Sequence, residues 1–233
     1  MGIFGQSNLW QLVLSSDMMT WIVLTILLCM SVFCWTVFLY KWILWRVKKR
    51  QLQSAISYMK NAENLEDVLH VTSKFSNTLP GYFLSKALTY LKALLLSSDG
   101  NKKQLCDREW SLLEHMMQQT HDMIMYSEER FVSLIGACVD IAPLLGLFGT
   151  VWGLVNAFMG ISQHQSADIT AIAPGIAQAL TTTVAGLLVA IPASMIFNYL
   201  NMQLRTMDQE LSILSDRFTW LSQRLFDDNK KVK

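Results

Sequence analysis

Two threonines are the chain's strongest candidates for chemistry. Thr150 lies in GLFGTVWGLVNA (146–157) and Thr183 in GIAQALTTTVAGLLVAIPA (175–193). Both stretches are uncharged and long. If they form antiparallel membrane helices joined by a short loop, positions with a constant sum lie at equal depth. The flanking ends 161 and 172 sum to 333, and so do 150 and 183. The two hydroxyls are then level, about 11 residues or ~16 Å from the loop-side surface, near mid-bilayer. A matched pair of that kind lines a polar path or binds a partner's polar group. The competing reading is that buried membrane threonines bond back to their own helix. Spacing alone leaves both open.

Other polar residues cluster around this level. Thr181, Thr182 and Thr183 together cover about 200° of a helix, so at least one faces protein. Gln178 and Asn156 can hydrogen-bond between helices, but an uncharged amide cannot carry a proton. Thr150, Thr183, Gln178, Thr182 and Asn156 are therefore the residues that could line such a polar path; as pore-lining residues they stand on the family resemblance given below. Asp140 is the one charged residue between Arg130 and His164. By type it is a functional candidate; by its place near the inner edge it is a hydrated boundary acid.

Other chemistry finds little support. His115 and His121 are six apart and share no helix face, and no Cys/His group has metal spacing. There is no GxxxxGK[ST] loop and no nucleophile–base pair within a span. No catalytic residue, metal or cofactor is expected, and no nucleic-acid partner. The cysteines (29, 34, 106 and 138) suggest reduced, inert thiols rather than a disulfide framework.

The elements that hold the threonines are written in small residues. Lipid is as apolar as leucine, so membrane helices gain by close backbone approach. Gly146, Gly149, Gly153, Ala157 and Gly160 step by 3 or 4. So do Gly175, Ala179, Thr183, Gly186 and Ala190. Gly146, Gly149, Gly153, Ala157, Gly175, Ala179 and Gly186 are the expected helix-packing residues.

Composition agrees with a membrane protein. Of 233 residues 52% are hydrophobic and 16% charged, with a net charge of +1; a soluble domain has ~25% charged. All 19 Lys and Arg lie in 41–130 or 205–233. The predicted class is all-α: a three-span polytopic membrane protein whose long helices extend into a cytoplasmic helical bundle. Residues 1–17 form a periplasmic N-terminus without the basic start of a cleaved signal. Residues 18–40 are the first span, followed by Lys41, Arg46, Lys48, Lys49 and Arg50, which place that end in the cytoplasm. Trp10, Trp21, Trp42 and Trp45 read as an interfacial belt. Residues 41–140 are a cytoplasmic insertion, with helical pieces near 44–76, 82–96 and 103–130. Turns are expected at Pro80-Gly81 and at Ser97–Asn101. The second span is 141–161, the periplasmic loop 162–171, the third span 172–200 and the cytoplasmic tail 201–233. Pro143 falls near the inner edge, Pro174 at a helix start, and Pro192 inside the third span. Two packing stripes follow helical spacing: Trp110, Leu113, Met117, Thr120, Ile124 and Phe131, and a tail seam of Leu204, Met207, Leu211, Leu214, Phe218, Leu221 and Leu225.

LGLFGTVWGLVNAF (145–158) and APGIAQALTTTVAGLLVAIPA (173–193) resemble the two signature helices of the TolQ/ExbB/MotA proton-channel family. The topology is similar as well. Within the family the short outside N-terminus and the length look more like TolQ members than ExbB members; MotA, usually with a fourth span, is less similar. The resemblance implies a pentamer around a pore lined by the second and third spans. It implies a TolR/ExbD-like single-span partner whose membrane aspartate carries the proton, and a TolA/TonB-like periplasmic transducer. The bilayer of the inner membrane surrounds the whole. On this view Thr150 and Thr183 match the pore threonines that face the aspartate. The expected task is envelope upkeep and division; ExbB-like energising of outer-membrane import and a non-conducting scaffold are the alternatives. Gln178 stands where many members have glutamate in APGIAEAL, so no proton-carrying role is assigned to it.

Overall fold

The computed structural model describes residues 18–62, 64–97, 107–164 and 169–227. Among these residues the chain is wholly helical apart from short turns, in five helices: α1 (Met18–Lys60), α2 (Leu65–Lys74), α3 (Leu79–Ser97), α4 (Asp107–His164) and α5 (Ile169–Asp227). Three of them, α1, α4 and α5, are long and apolar enough to cross a membrane. Their charged ends continue the same helices rather than forming separate pieces. Nothing in residues 125–145 or 195–210 breaks a helix except Pro143, and α4 runs through it. A missing hydrogen bond at proline is tolerable where neighbouring helices surround the site.

The chain divides into two compact units. The first comprises Met1–Leu39 and Phe131–Leu200, the second Tyr40–Arg130 and Asn201–Lys233. In the first unit, α1, α4 and α5 meet in a small core of Val23, Leu27, Ala142 and Ala190, flanked by Met30, Leu145, Ala185 and Val189. Phe38 and Tyr199 pack edge to face at 6.1 Å. Gly136 admits the Phe197 ring, which a Cβ there would approach to 2.9 Å.

In the second unit the expected stripes form the core. Leu113, Met117, Thr120 and Ile124 are buried, as are Leu204, Met207, Leu211, Leu214, Phe218 and Leu221. Phe131 departs from its stripe and is exposed. The insertion divides differently from the predicted pieces. A break at Asn61–Asn64 interrupts the 44–76 piece, and the Asn64 N–H donates to Asp67 Oδ2 at 3.2 Å to start α2. Pro80-Gly81 is not a turn but the first turn of α3, where proline has no hydrogen bond to lose. The chain reverses just before it, at Phe75–Thr78, with Thr78 N–H donating to the Phe75 carbonyl at 2.9 Å. A side chain at Gly81 would overlap the Phe75 carbonyl, so glycine is required by close approach. Residues 98–101 of the expected turn, Cys106 and residues 165–168 of the expected 162–171 loop lie outside the described residues; the rest of that loop is helical, since α4 runs on to His164 and α5 starts at Ile169, ahead of Pro174.

Candidate functional site

The α4–α5 pair is zipped by its small residues. A Cβ on Gly153 would sit 2.8 Å from Ala179 Cβ, one on Gly175 3.1 Å from Ala157 Cβ, and one on Gly186 2.7 Å from the Ala142 carbonyl. One on Gly146 would meet the Thr182 carbonyl at 3.0 Å and the Gly186 Cα at 3.3 Å, and one on Gly149 would overlap the Thr182 side chain. Backbones this close leave no room for a larger residue. The pairs Gly146–Gly186, Gly153–Ala179 and Ala157–Gly175 share one constant sum, 332, one less than the ends of the loop suggested. Thr183 is thus level with Gly149 and Thr150 with Thr182, an offset of about 1.5 Å along the axis.

The hydroxyls at this level are all committed to backbone carbonyls. Thr150 Oγ1 donates to Leu147 O at 2.7 Å, within its own helix. Thr181 Oγ1 likewise donates to Ala177 O at 2.8 Å. Thr183 Oγ1 instead crosses to α4 and donates to Gly146 O at 3.2 Å. Thr182 Oγ1 has two acceptors in reach, Ala179 O at 2.7 Å and the same Gly146 O at 3.2 Å. Thr182 is fully buried in the seam between the two helices. It therefore packs against Gly149 rather than standing on a face that an outside group could reach. Thr150 and Thr183 remain half-buried, bordered by exposed Leu147, Val151, Leu154, Leu180 and Leu187. Asn156 and Gln178 are half-buried and neither is free. Asp140 is exposed. With donors spent on the backbone, the threonine oxygens keep lone pairs as acceptors.

A site that sequence reasoning missed lies in the second unit. Lys41, Trp45 and Lys48 on α1 converge on Glu128 of α4. Lys41 Nζ reaches Glu128 Oε2 at 2.8 Å and the Glu128 carbonyl at 3.0 Å. Trp45 Nε1 donates to Oε2 at 3.1 Å, and Lys48 Nζ binds Oε1. Lys41 and Glu128 are 3% and 7% exposed, which is rare for ions unless paired. Lys41 reads in sequence as a topology charge and Trp45 as part of an interfacial belt. Their i, i+4 spacing on one face, with Lys48 at i+7, was the available signal. Trp45 is buried in this cluster, so it is no belt residue. Burial alone would push the Glu128 carboxyl up, but the hydrogen bonds from Lys41, Lys48 and Trp45 outweigh it and hold the group at about 2.

Two outcomes follow for this cluster. The depressed pKa contributes stability that is fully present above about 4.5, the ordinary value, and is lost as pH falls through about 2. Its size is on the order of 3 kcal/mol. Glu128→Gln leaves Lys41 buried without a counter-charge and should cost about 3–5 kcal/mol. Thermal melts of the detergent-solubilised chain followed by circular dichroism, from pH 7 down to pH 2, check both. The wild type should lose stability in the acid range, whereas Glu128→Gln should start lower and vary less with pH.

Comparison with known proteins places the chain. A sequence model of the MotA/TolQ/ExbB proton channel family matches residues 77–213. The "Biopolymer transport protein ExbB" of Salmonella typhimurium is 30% identical over 223 residues, 95% of this chain and 89% of that protein. The protein of the same name in Pseudomonas putida is 31% identical over 198 residues, 85% of this chain but 58% of its own length. The "Tol-Pal system protein TolQ" of Haemophilus influenzae is 40% identical over 98 residues, 42% of this chain and 43% of that protein. Relatives of both names thus match. With its three membrane-length helices, the chain belongs to the MotA/TolQ/ExbB proton channel family and is an inner-membrane protein.

Proposed function

We propose that this chain is the channel subunit of a proton-driven motor of the Tol-Pal type. Several copies, five by family analogy, surround a pore lined by α4 and α5. A TolR/ExbD-like partner inserts a single membrane helix, and its aspartate takes and releases the proton. Relative motion of the two sets of helices drives a TolA/TonB-like protein that reaches the outer membrane. The N-terminus faces the periplasm and the C-terminus the cytoplasm, by the excess of Lys and Arg beyond residue 40.

The observation that carries this reading is the pair of threonine oxygens held at one level of a glycine-zipped helix pair. Among the described residues, the apolar unit has no carboxylate besides Asp140. A proton path needs an ionisable group or water. A partner acid meets that need, and Gln178 does not. A Tol-Pal task, envelope upkeep and division in our reading, is favoured by the 40% identity over 98 residues to a Tol-Pal system protein TolQ. A second reading, energising outer-membrane import as an ExbB-type subunit, is favoured by alignment over 95% of the chain with an ExbB protein.

The test is proton flux in vesicles holding this chain with and without a TolR/ExbD-like partner. Flux should require the partner and disappear when the partner's membrane aspartate becomes asparagine. No flux in any combination, with unaltered function in uncoupled cells, would leave only the scaffold reading. Loss of the chain in cells should then cause envelope leakage under the first reading and failed nutrient uptake under the second.

A further inference from the structure

The seam offers Gly146 O more hydroxyl donors than it can accept at once. As a helical carbonyl it already accepts the Thr150 N–H, four residues on. One lone pair remains. Thr182 Oγ1 and Thr183 Oγ1 both lie 3.2 Å from it. Thr182 has a second acceptor in Ala179 O at 2.7 Å, and its full burial keeps it from any group outside the packed helices. The two hydroxyl protons therefore have two consistent arrangements. In one, Thr182 donates to Ala179 O and Thr183 to Gly146 O, so Thr183 faces outward as an acceptor only. In the other, Thr182 donates to Gly146 O, which frees the Thr183 proton to donate outward; Ala179 O gives up the hydroxyl but keeps its helical N–H partner, that of Thr183.

We infer that Thr182 is a positioning residue that lets Thr183 bind a partner carboxyl group in both protonation states. A protonated acid donates to the Thr183 oxygen in the first arrangement. A carboxylate accepts the Thr183 proton in the second. The Thr182 hydroxyl takes the remaining lone pair of Gly146 O that Thr183 vacates. No charge moves within this chain. This rests on the motor reading given above. Thr182 is not itself a lining residue, and its effect passes through Thr183.

The titratable side chains of the same unit lie away from this level. Along α4, Asp140 is ten residues and Cys138 twelve from Thr150; along α5, Tyr199 is sixteen from Thr183. Cys29 and Cys34 on α1 lie beyond Leu27, which packs beside Ala142. None of these described groups stands between Thr183 and an incoming acid.

The test is proton flux against pH in vesicles of the complete complex. Thr182→Val keeps the shape and removes the hydroxyl, so Thr183 stays tied to Gly146 O and the carboxylate loses a donor. The partner acid then holds its proton to higher pH. The flux profile should move up by about half a unit to one unit, with a fall of about fivefold at neutral pH. Thr182→Ser keeps the hydroxyl and should retain the wild-type profile, even if its melting temperature falls. Thr182→Ala, which removes the hydroxyl without adding bulk, should reproduce the valine shift and replaces it if valine impairs assembly. An unmoved profile in the assembled valine or alanine variant overturns the inference, as does an equal shift in serine. Thr183→Val separates the two ideas: if it abolishes flux while Thr182→Val leaves the profile unmoved, the relay fails and the motor reading stands. If Thr183→Val conducts normally, the motor reading itself fails.

Discussion

Gly186→Val will force α4 and α5 apart. Even the first carbon of a side chain at 186 would lie 2.7 Å from the Ala142 carbonyl, 3.1 Å from Gly146 Cα and 3.3 Å from Gly146 N. All three obstacles are backbone, so no rotamer change relieves them. The helices must separate, which also pulls Thr183 from Gly146 O. Overpacking of this kind costs about 3 kcal/mol, and the threonine level goes with it. The variant should show a fall in melting temperature in detergent and no proton-dependent work in cells. Gly160→Ala is the control. Nothing lies within 4 Å of a Cβ there, and replacing a mid-helix glycine by alanine stabilises by about 0.5–1 kcal/mol. If both variants behave alike, the zipper is not what holds the pair.

Thr183→Val and Thr150→Val should separate folding from function. Each removes one hydroxyl and keeps the shape. In stability this costs little: hydrogen bonds within membrane proteins average about 0.6 kcal/mol. In function the loss is larger, because a bond to a charged group is worth about 1.5–3 kcal/mol. Proton-dependent work should fall about tenfold to a hundredfold, with the oligomer still recovered intact by size-exclusion chromatography and native mass spectrometry. Unchanged work in both variants would return these threonines to plain packing.

The helix pair was legible in sequence because small-residue spacing is a strong signal where lipid removes the usual hydrophobic contrast. The two loop ends alone place the threonines level to within one residue of the pairing that the glycines show. The packing seam of the tail was equally visible, since Leu204 to Leu221 keep a 3–4 step and bury together. What sequence could not assign was the partner of each hydroxyl. Thr181, Thr182 and Thr183 are chemically alike, and only the geometry puts Thr182 in the seam and Thr183 across to Gly146 O. The Glu128 cluster was hidden for another reason. Glu128 lies 80 or more residues from the other three members, and single lysines after a span read as topology signals before they read as ion-pair partners. Pro80-Gly81 misled because the same dipeptide suits a turn and the first turn of a helix; the tie is broken by what precedes it, the Thr78 hydroxyl donating to Phe75 O at 2.7 Å.

The most direct measurement is water access at the threonine level in the assembled complex. In a background with the four native cysteines replaced by serine or alanine, Thr150→Cys and Thr183→Cys should react with a small hydrophilic thiol reagent. Cysteines at Leu188 and Met195, exposed on α5 and proposed to face the lipid, should react only with a lipid-soluble one. If positions 150 and 183 instead behave like 188 and 195, these residues face acyl chains, and the proton path does not run along them.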